Sequence, residues 1–455
     1  MSSGRELNTN FDTVFALSTP VGGAIAVIRA SGPAARAVLS SVFTGRIADH
    51  SLNYGRIVSG DSVLDESMAV FFPAPHSYTS EDMFELHLHG SYAVVNAVSA
   101  LLLEKGLRPA EPGEFTKRAF LNGKMDLVQA DAVMDLINAE TQRSANAAMD
   151  QLRGGLSSRL GAIEQRLIDF GAELAAAMDY PEEMEDETLS AVPAALGPVV
   201  SELTELIENG RKNRILREGG KLVILGRPNA GKSSLMNALL KEDRAIVTEY
   251  AGTTRDVLSE HLSLCGLPVR LVDTAGLREG ADPVELIGID RANREAETAD
   301  CILLVLDGSR FEGEIEAEDE ALIKKTSGMP VIYVINKYDL SPERAGSMAL
   351  AVRGLVSGAE ALTVSCKTGH GLVRLSETAA KLLGSAESEP LVTNARHIER
   401  LGFAAAELKL AMTVTETDLV SELVASALSA LSEITGREYS EELLDLIFSR
   451  FCVGK

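Results

Sequence analysis

The chain has 455 residues, room for about three domains at roughly 150 residues each. Its 45% hydrophobic and 24% charged content is that of an ordinary globular protein, and no uninterrupted apolar run approaches the ~20 residues of a membrane span. Lys plus Arg number 43 against 66 Asp plus Glu, and a balance of −23 excludes bulk, non-specific binding of RNA or DNA, which requires neutralising phosphates.

The first residues, MSSGRELNTNFDTVFAL, lack a basic flank followed by an apolar stretch. Four cysteines (Cys265, Cys301, Cys366, Cys452) lie far apart with no C-x-x-C, which argues against a zinc site or a disulfide framework. The expectation is a reduced, cytoplasmic protein. A specific RNA substrate then needs a local basic patch or a basic partner.

In chain order, residues 12–29 hold short β-type runs broken by Pro20 and Gly22-Gly23. Strand candidates follow at SMAVFFPAP and MFELHLHG, and a helix candidate at AVVNAVSALLLEKG, so the front reads as an α/β or α+β domain to about residue 120. His87 and His89 share one strand face, a spacing suggestive of a metal, but no third ligand is identifiable, and two strand histidines are more often ordinary packing or polar contacts. From Asp126 the period becomes helical, with Leu127, Ala130, Met134 and Ile137. It continues to Pro181, where an acidic loop, DYPEEMEDETLS, is expected before another helix at roughly 193–217. After residue 385 helical patterns return, so either one helical domain is interrupted by an insertion or two separate helical units flank it. The middle, about 218–384, alternates buried strands (KLVILG, VRLVD, CILLVLD, VIYVIN, ALTVS) with helices, the pattern of a mostly parallel sheet covered on both faces.

That middle carries five ordered motifs. Gly226-x4-Gly231-Lys232-Ser233 follows a strand and precedes a helix, the context of a phosphate-binding loop. Backbone N–H groups and the helix N-terminus face the phosphates, Lys232 supplies a charge, and Ser233 can ligate Mg²⁺. GTP contacts are expected here from Gly226, Asn229, Ala230, Gly231, Lys232, Ser233 and Ser234. GTTRD follows, with Thr254 completing the Mg²⁺ shell and contacts from Thr248, Glu249, Tyr250, Ala251, Gly252 and Thr253. In DTAG, Asp273 can hold a metal-bound water and the Gly276 N–H can meet the γ-phosphate, with Thr274 and Ala275 beside them. In NKYD, Asp339 can accept two hydrogen bonds from guanine while Asn336 and Lys337 hold the base and its loop. Adenine lacks that donor pair, so GTP is selected over ATP. SCK adds Ser365, Cys366 and Lys367. Leu277 stands where many GTP-hydrolysing switches have a glutamine that orients the attacking water, so that role must fall to another group.

Over its full length the chain resembles one family, the bacterial and organellar tRNA-modification GTPases called MnmE or TrmE. GRPNAGKSS, AGTTRD and DTAGLRE carry the resemblance in the middle, PGEFTKRAFLNGKMDLVQA near the front and FCVGK at the end. The fold implied is α/β plus all-α multidomain: an N-terminal α/β folate-binding domain, a discontinuous helical domain and an inserted P-loop (Ras-like) G domain. The implied boundaries are 1–120 for tetrahydrofolate binding and dimerisation, 121–217 with 385–455 for the helical domain, and 218–384 for the G domain.

The resemblance also implies K⁺ beside the phosphates, held by Asn229, Thr248, Tyr250 and Thr253, in the place of an arginine finger; such fingers contribute about 10³–10⁵ in rate. The plainer alternative for Asn229 is a loop-stabilising amide. Water positioning passes by resemblance to Glu285, which otherwise reads as an exposed helix-face carboxylate. G domains of a homodimer are implied to meet across their nucleotides. A reduced folate (5-formyl- or methylene-tetrahydrofolate) is implied at Arg29, Glu85 and Lys124, with Lys455 reaching the pocket; from sequence alone each is a solvated charge. Cys452 can be a nucleophile or a small residue packing a docked tail.

The implied activity is GTP hydrolysis coupled to adding a carboxymethylaminomethyl group at C5 of the wobble uridine of certain tRNAs. It is shared with an FAD-binding partner, MnmG (GidA), in a heterotetramer or larger assembly, the partner supplying much of the tRNA contact. The rival reading is a ribosome-assembly GTPase, for which the front and tail motifs have no use. An effector-gated signalling switch is a second rival, predicting slow hydrolysis with little dependence on K⁺.

Overall fold

Strict alternation along two neighbouring strands sets up the first half of the molecule. In the strand Ile25–Ser31, Ala26, Ile28 and Ala30 are fully buried, and in Met83–His89 so are Phe84, Leu86 and Leu88. Period-two geometry therefore turns Arg29 and Glu85 to the opposite face. The computed structural model describes residues 12–242, 259–273, 294–384 and 392–454. These form two compact units, Met1–Met134 with Ser432–Lys455, and Asp135–Leu431.

The first unit contains β1 (Val14–Leu17), β2 (Ile25–Ser31), α1 (Ala35–Val42), β3 (Asn53–Ser59), β4 (Ser62–Phe72), β5 (Met83–His89), α2 (Tyr92–Glu104) and β6 (Arg108–Pro109). The sheet order is β3-β4-β5-β2-β1-β6, antiparallel except for β1 beside β6. Helices α1 and α2 cover the Ile28–Leu86 face in one apolar cluster, while Val14, Ala16, Ala110 and Phe115 pack with Tyr78 in another. Next come α3 (Glu114–Leu121) and α4 (Leu127–Ile137). From the chain's other end, Leu444, Ile447, Phe448 and Phe451 pack with Phe120, Leu127 and Ala130.

In the second unit, α5 (Gln142–Leu152), α6 (Gly155–Asp179), α7 (Pro181–Asn213) and α8 (Ile215–Glu218) precede the second sheet. The expected acidic loop is instead the opening of α7. Pro181 sits in its first turn with Glu182 and Glu183, where the N–H that proline lacks has no helical acceptor to lose and carboxylates meet the positive end of the helix dipole. The sheet comprises β7 (Gly220–Gly226), β8 (Ser259–Leu264), β9 (Leu267–Asp273), β10 (Cys301–Asp307), β11 (Val331–Asn336) and β12 (Glu360–Thr363). Its order is β12-β11-β10-β7-β9-β8, parallel except for β8 against β9. Described helices of this part are α9 (Lys232–Glu242), α10 (Ala317–Thr326), α11 (Pro342–Leu355) and α12 (Leu372–Leu382).

After it, α13 (Ala395–Ala411) packs along α7, and α14 (Thr417–Thr435) and α15 (Glu441–Phe448) complete the chain. Buried Gln151 donates to Thr393 at 2.9 Å. Helical segments before and after the parallel sheet therefore pack together, as one interrupted domain requires and two separate helical units do not. Among the described residues no helix is long and apolar enough to cross a membrane.

Candidate functional site

Strand β7 lies between β9 and β10, so connections leave it in opposite directions and a crevice opens at its carboxyl end. The loop from Gly226 to Lys232 leaves β7 at that end and leads into α9. Asn229 adopts a left-handed conformation, φ 63°. At Gly231, φ +101°, a Cβ would lie 2.2 Å from the Asn336 side-chain nitrogen, so the position admits only glycine. That same nitrogen donates to the Ala230 carbonyl at 3.0 Å, and Asn336 is buried. Lys232 is buried as well, its Nζ reaching back across the loop to the Arg227 carbonyl at 2.8 Å. Ser233 and Ser234 stand exposed in the first turn of α9. Arg227 is tied to Glu316 and Glu318, fixing the outer edge of the loop against the start of α10.

The other side, where the sequence places base recognition, is built from the ends of β11 and β12. Lys337, φ 62°, bonds Asp307 at 2.7 Å. Burial works against the Asp307 carboxylate, but hydrogen bonds from Lys337 and Ser309 hold its pKa below the ordinary value. Asp339 accepts from the Ser365 hydroxyl at 2.6 Å. Cys366 points its thiol at the Asn336 amide oxygen, 3.3 Å away, and burial pushes that thiol up to about 11, leaving it an unreactive spacer. Lys367 is exposed. The structure thus assembles Asn229 to Ser234, Asn336, Lys337, Asp339 and Ser365 to Lys367 at the carboxyl ends of adjacent strands. Thr248, Glu249, Tyr250, Ala251, Gly252, Thr253, Thr254, Thr274, Ala275, Gly276, Leu277, Glu285 and Lys455, with the side chain of Asp273, lie outside the described residues.

In the first unit, register places Arg29 directly opposite Glu85. The guanidinium bonds Glu85 at 2.8 and 2.9 Å and lies 5.7 Å from the Tyr78 ring centre and 5.8 Å from that of Phe115. A contact from His87 at 3.5 Å and the Arg29 charge outweigh burial and bring Glu85 down to about 2. Lys124 is exposed in the turn after α3, and among the described residues no hydrogen bond or ion pair joins it to Arg29 or Glu85.

The tail meets this pair. The Gly454 carbonyl accepts from Arg29 at 3.4 Å and from Ser18 at 3.3 Å. Gly454 has φ +96°, and a Cβ there would lie 2.6 Å from the Leu17 carbonyl oxygen. Phe451 supplies the apolar packing, whereas Cys452 is exposed with only its carbonyl docked, 3.4 Å from the Gly113 amide. Packing of a docked tail therefore falls to Phe451 rather than Cys452.

Sequence reasoning passed over Arg118 and Asp307. Arg118 is 1% exposed, bonds the Asp12 carbonyl at 2.8 Å, and pairs with Glu81 and Glu114, ordering the turn that carries Tyr78. Its only signal was a charge inside the apolar helix pattern EFTKRAF; for Asp307 it was an acid closing the run CILLVL. His89 pairs with Asp65 at 2.7 Å, and among the described residues no three His, Cys, Asp or Glu cluster as metal ligands.

Residues 127–452 match the family described as "MnmE helical domain", and residues 13–124 match "GTP-binding protein TrmE N-terminus". The "tRNA modification GTPase MnmE" of Lactiplantibacillus plantarum is 42% identical over 465 residues, covering 98% of this chain and 99% of that protein. The like-named proteins of Bacillus subtilis and Symbiobacterium thermophilum are 41% and 43% identical, covering 98% of this chain and 100% and 99% of theirs.

Proposed function

This chain belongs to the MnmE family of tRNA modification GTPases, and from that premise we propose that it hydrolyses GTP in the course of modifying the wobble uridine of certain tRNAs. The observation that carries the GTP reading is the bond from Asn336 to the Ala230 carbonyl, which joins a guanine-reading strand end to a phosphate-binding loop. In hydrolysis, water adds to the γ-phosphorus as the bond to the bridging oxygen breaks, and charge grows on the leaving GDP. Lys232 exchanges the Arg227 carbonyl for phosphate oxygens and offsets part of that charge. Asp339, oriented by Ser365, accepts the two guanine N–H groups.

The exposed Ser233 hydroxyl at the start of α9 suits Mg²⁺, with Thr254 as its proposed companion; the metal screens the β- and γ-phosphate oxygens when bound. Asn229, held left-handed inside the loop, suits K⁺ with Thr248, Tyr250 and Thr253; that cation supplies the positive charge an arginine finger supplies elsewhere. Glu285 is proposed to orient the water in place of the glutamine that Leu277 replaces. Pairing of G domains in a homodimer completes the proposed catalytic arrangement.

For the first unit, the proposal is a reduced-folate site. Arg29 and Glu85 with the neighbouring Tyr78 and Phe115 rings combine a cation, a hydrogen-bond-accepting carboxylate and aromatic surface, which fits a pterin. The folate carries the one-carbon unit when bound, with Lys124 and Lys455 as further cations. Cys452 is proposed as the tail's nucleophile. MnmG, FAD-binding, is the proposed partner for the carboxymethylaminomethyl chemistry and the source of most tRNA contact, in keeping with the −23 balance.

The test is turnover of GTP and ATP by the wild-type chain and Lys232→Ala. GTP hydrolysis lost in the variant, with ATP ignored by both, supports the reading; equal turnover of the two nucleotides contradicts it.

A further inference from the structure

Guanine recognition draws on two loops that follow different strands, so their separation must be held within hydrogen-bond tolerance. The polar ties between them are the Tyr338 amide to the Val364 carbonyl at 3.1 Å, Ser365 to Asp339 at 2.6 Å and Cys366 to Asn336 at 3.3 Å. A further tie is not polar. The His370 ring lies parallel to the Tyr338 ring, 4.2 Å between centres and 9° between planes.

His370 closes a tight turn. Its carbonyl accepts from the Ser365 amide at 3.0 Å, the Gly369 amide bonds Ser365 at 2.9 Å, and the Thr368 amide bonds the Ser365 hydroxyl at 3.2 Å. That hydroxyl is the group that orients Asp339. Tyr338 in turn stands one residue before Asp339 in NKYD and packs on the apolar cluster beneath β11. Stacking therefore anchors the turn carrying Ser365 to a ring seated on the core. The chain beside Tyr338 includes Lys337 in a left-handed conformation, a strained state that persists only where its surroundings enforce it.

We infer that His370 is a positioning residue for guanine recognition, acting through its stack on Tyr338 to fix the Ser365–Asp339 pair. This rests on the GTP reading above. His370 is exposed, so alanine there takes nothing from the core.

The experiment follows dissociation of fluorescent GDP, and competition by GDP and inosine diphosphate, which lacks the 2-amino group that Asp339 reads. His370→Ala is expected to speed GDP release by about three- to tenfold, the scale of one aromatic pair. It should also narrow the preference for GDP over inosine diphosphate. His370→Phe, which keeps a ring, restores both. Tyr338→Leu reproduces the loss, and combining it with His370→Ala adds nothing further. A wild-type chain that fails to prefer GDP overturns the GTP reading and this inference together. With that preference present, unchanged release in His370→Ala, or a defect that His370→Phe does not repair, overturns the inference alone.

Discussion

The Asn336 side-chain nitrogen and the Ala230 carbonyl, 3.0 Å apart, fasten the end of β11 to the loop that follows β7. This bond is buried and couples the two parts of the proposed nucleotide site directly. Asn336→Ala removes the donor and leaves the Ala230 oxygen unsatisfied, at a cost of about 1–3 kcal/mol. GDP affinity measured by calorimetry should fall about 5- to 150-fold. Unchanged affinity would show that the two halves are positioned independently.

Asp339→Asn reverses a donor–acceptor match. A carboxylate accepts from both guanine N–H groups, whereas an amide sets one donor against another. Xanthine, which carries an oxygen in place of the 2-amino group, suits the amide. The preference for GTP over XTP should shift toward XTP by at least about 100-fold, read from competition binding.

The phosphate loop and NKYD could be named from the sequence because each is a run of a few adjacent residues. The Arg29–Glu85 pair was not: the residues were nameable, but that they face each other follows from the register of β2 on β5. Arg118 escaped for a related reason: Glu114 lies one turn away on its own helix, but its other partners, Asp12 and Glu81, come from separate stretches of chain. The helical opening of α7 was misread because acid-rich sequence resembles a loop by composition, while Pro181 at its start marks a helix only by position. The Tyr338–His370 stack joins two loops and has no one-dimensional signature.

Glu85 sets a pH dependence for the first unit. Its folded value of about 2 lies below the ordinary 4.5, so the native state favours the ionised form more than the unfolded chain does. The resulting stability is fully present above pH 4.5 and is lost as pH falls toward 2. With solvent screening it is on the order of 1–2 kcal/mol. Chemical denaturation at pH 7 and pH 3 should show Glu85→Gln flattening the acid limb; an identical slope in the variant contradicts the assignment.

Gly454→Ala tests the docked tail. A left-handed alanine whose Cβ meets the Leu17 carbonyl is strained by about 1–3 kcal/mol. Hydrogen exchange at the amides of Phe451 to Gly454 should accelerate about 5- to 150-fold, with β1 and β2 unchanged. No acceleration would mean that the tail is held from elsewhere.

The proposed mechanism depends most on what replaces the arginine finger. The direct measurement is GTP turnover against protein concentration in KCl and in NaCl at equal ionic strength, for wild type and Asn229→Ala. The account predicts turnover at least about tenfold faster in KCl, rising per chain with concentration as G domains pair, and no such advantage in the variant. Equal rates in the two salts would contradict it.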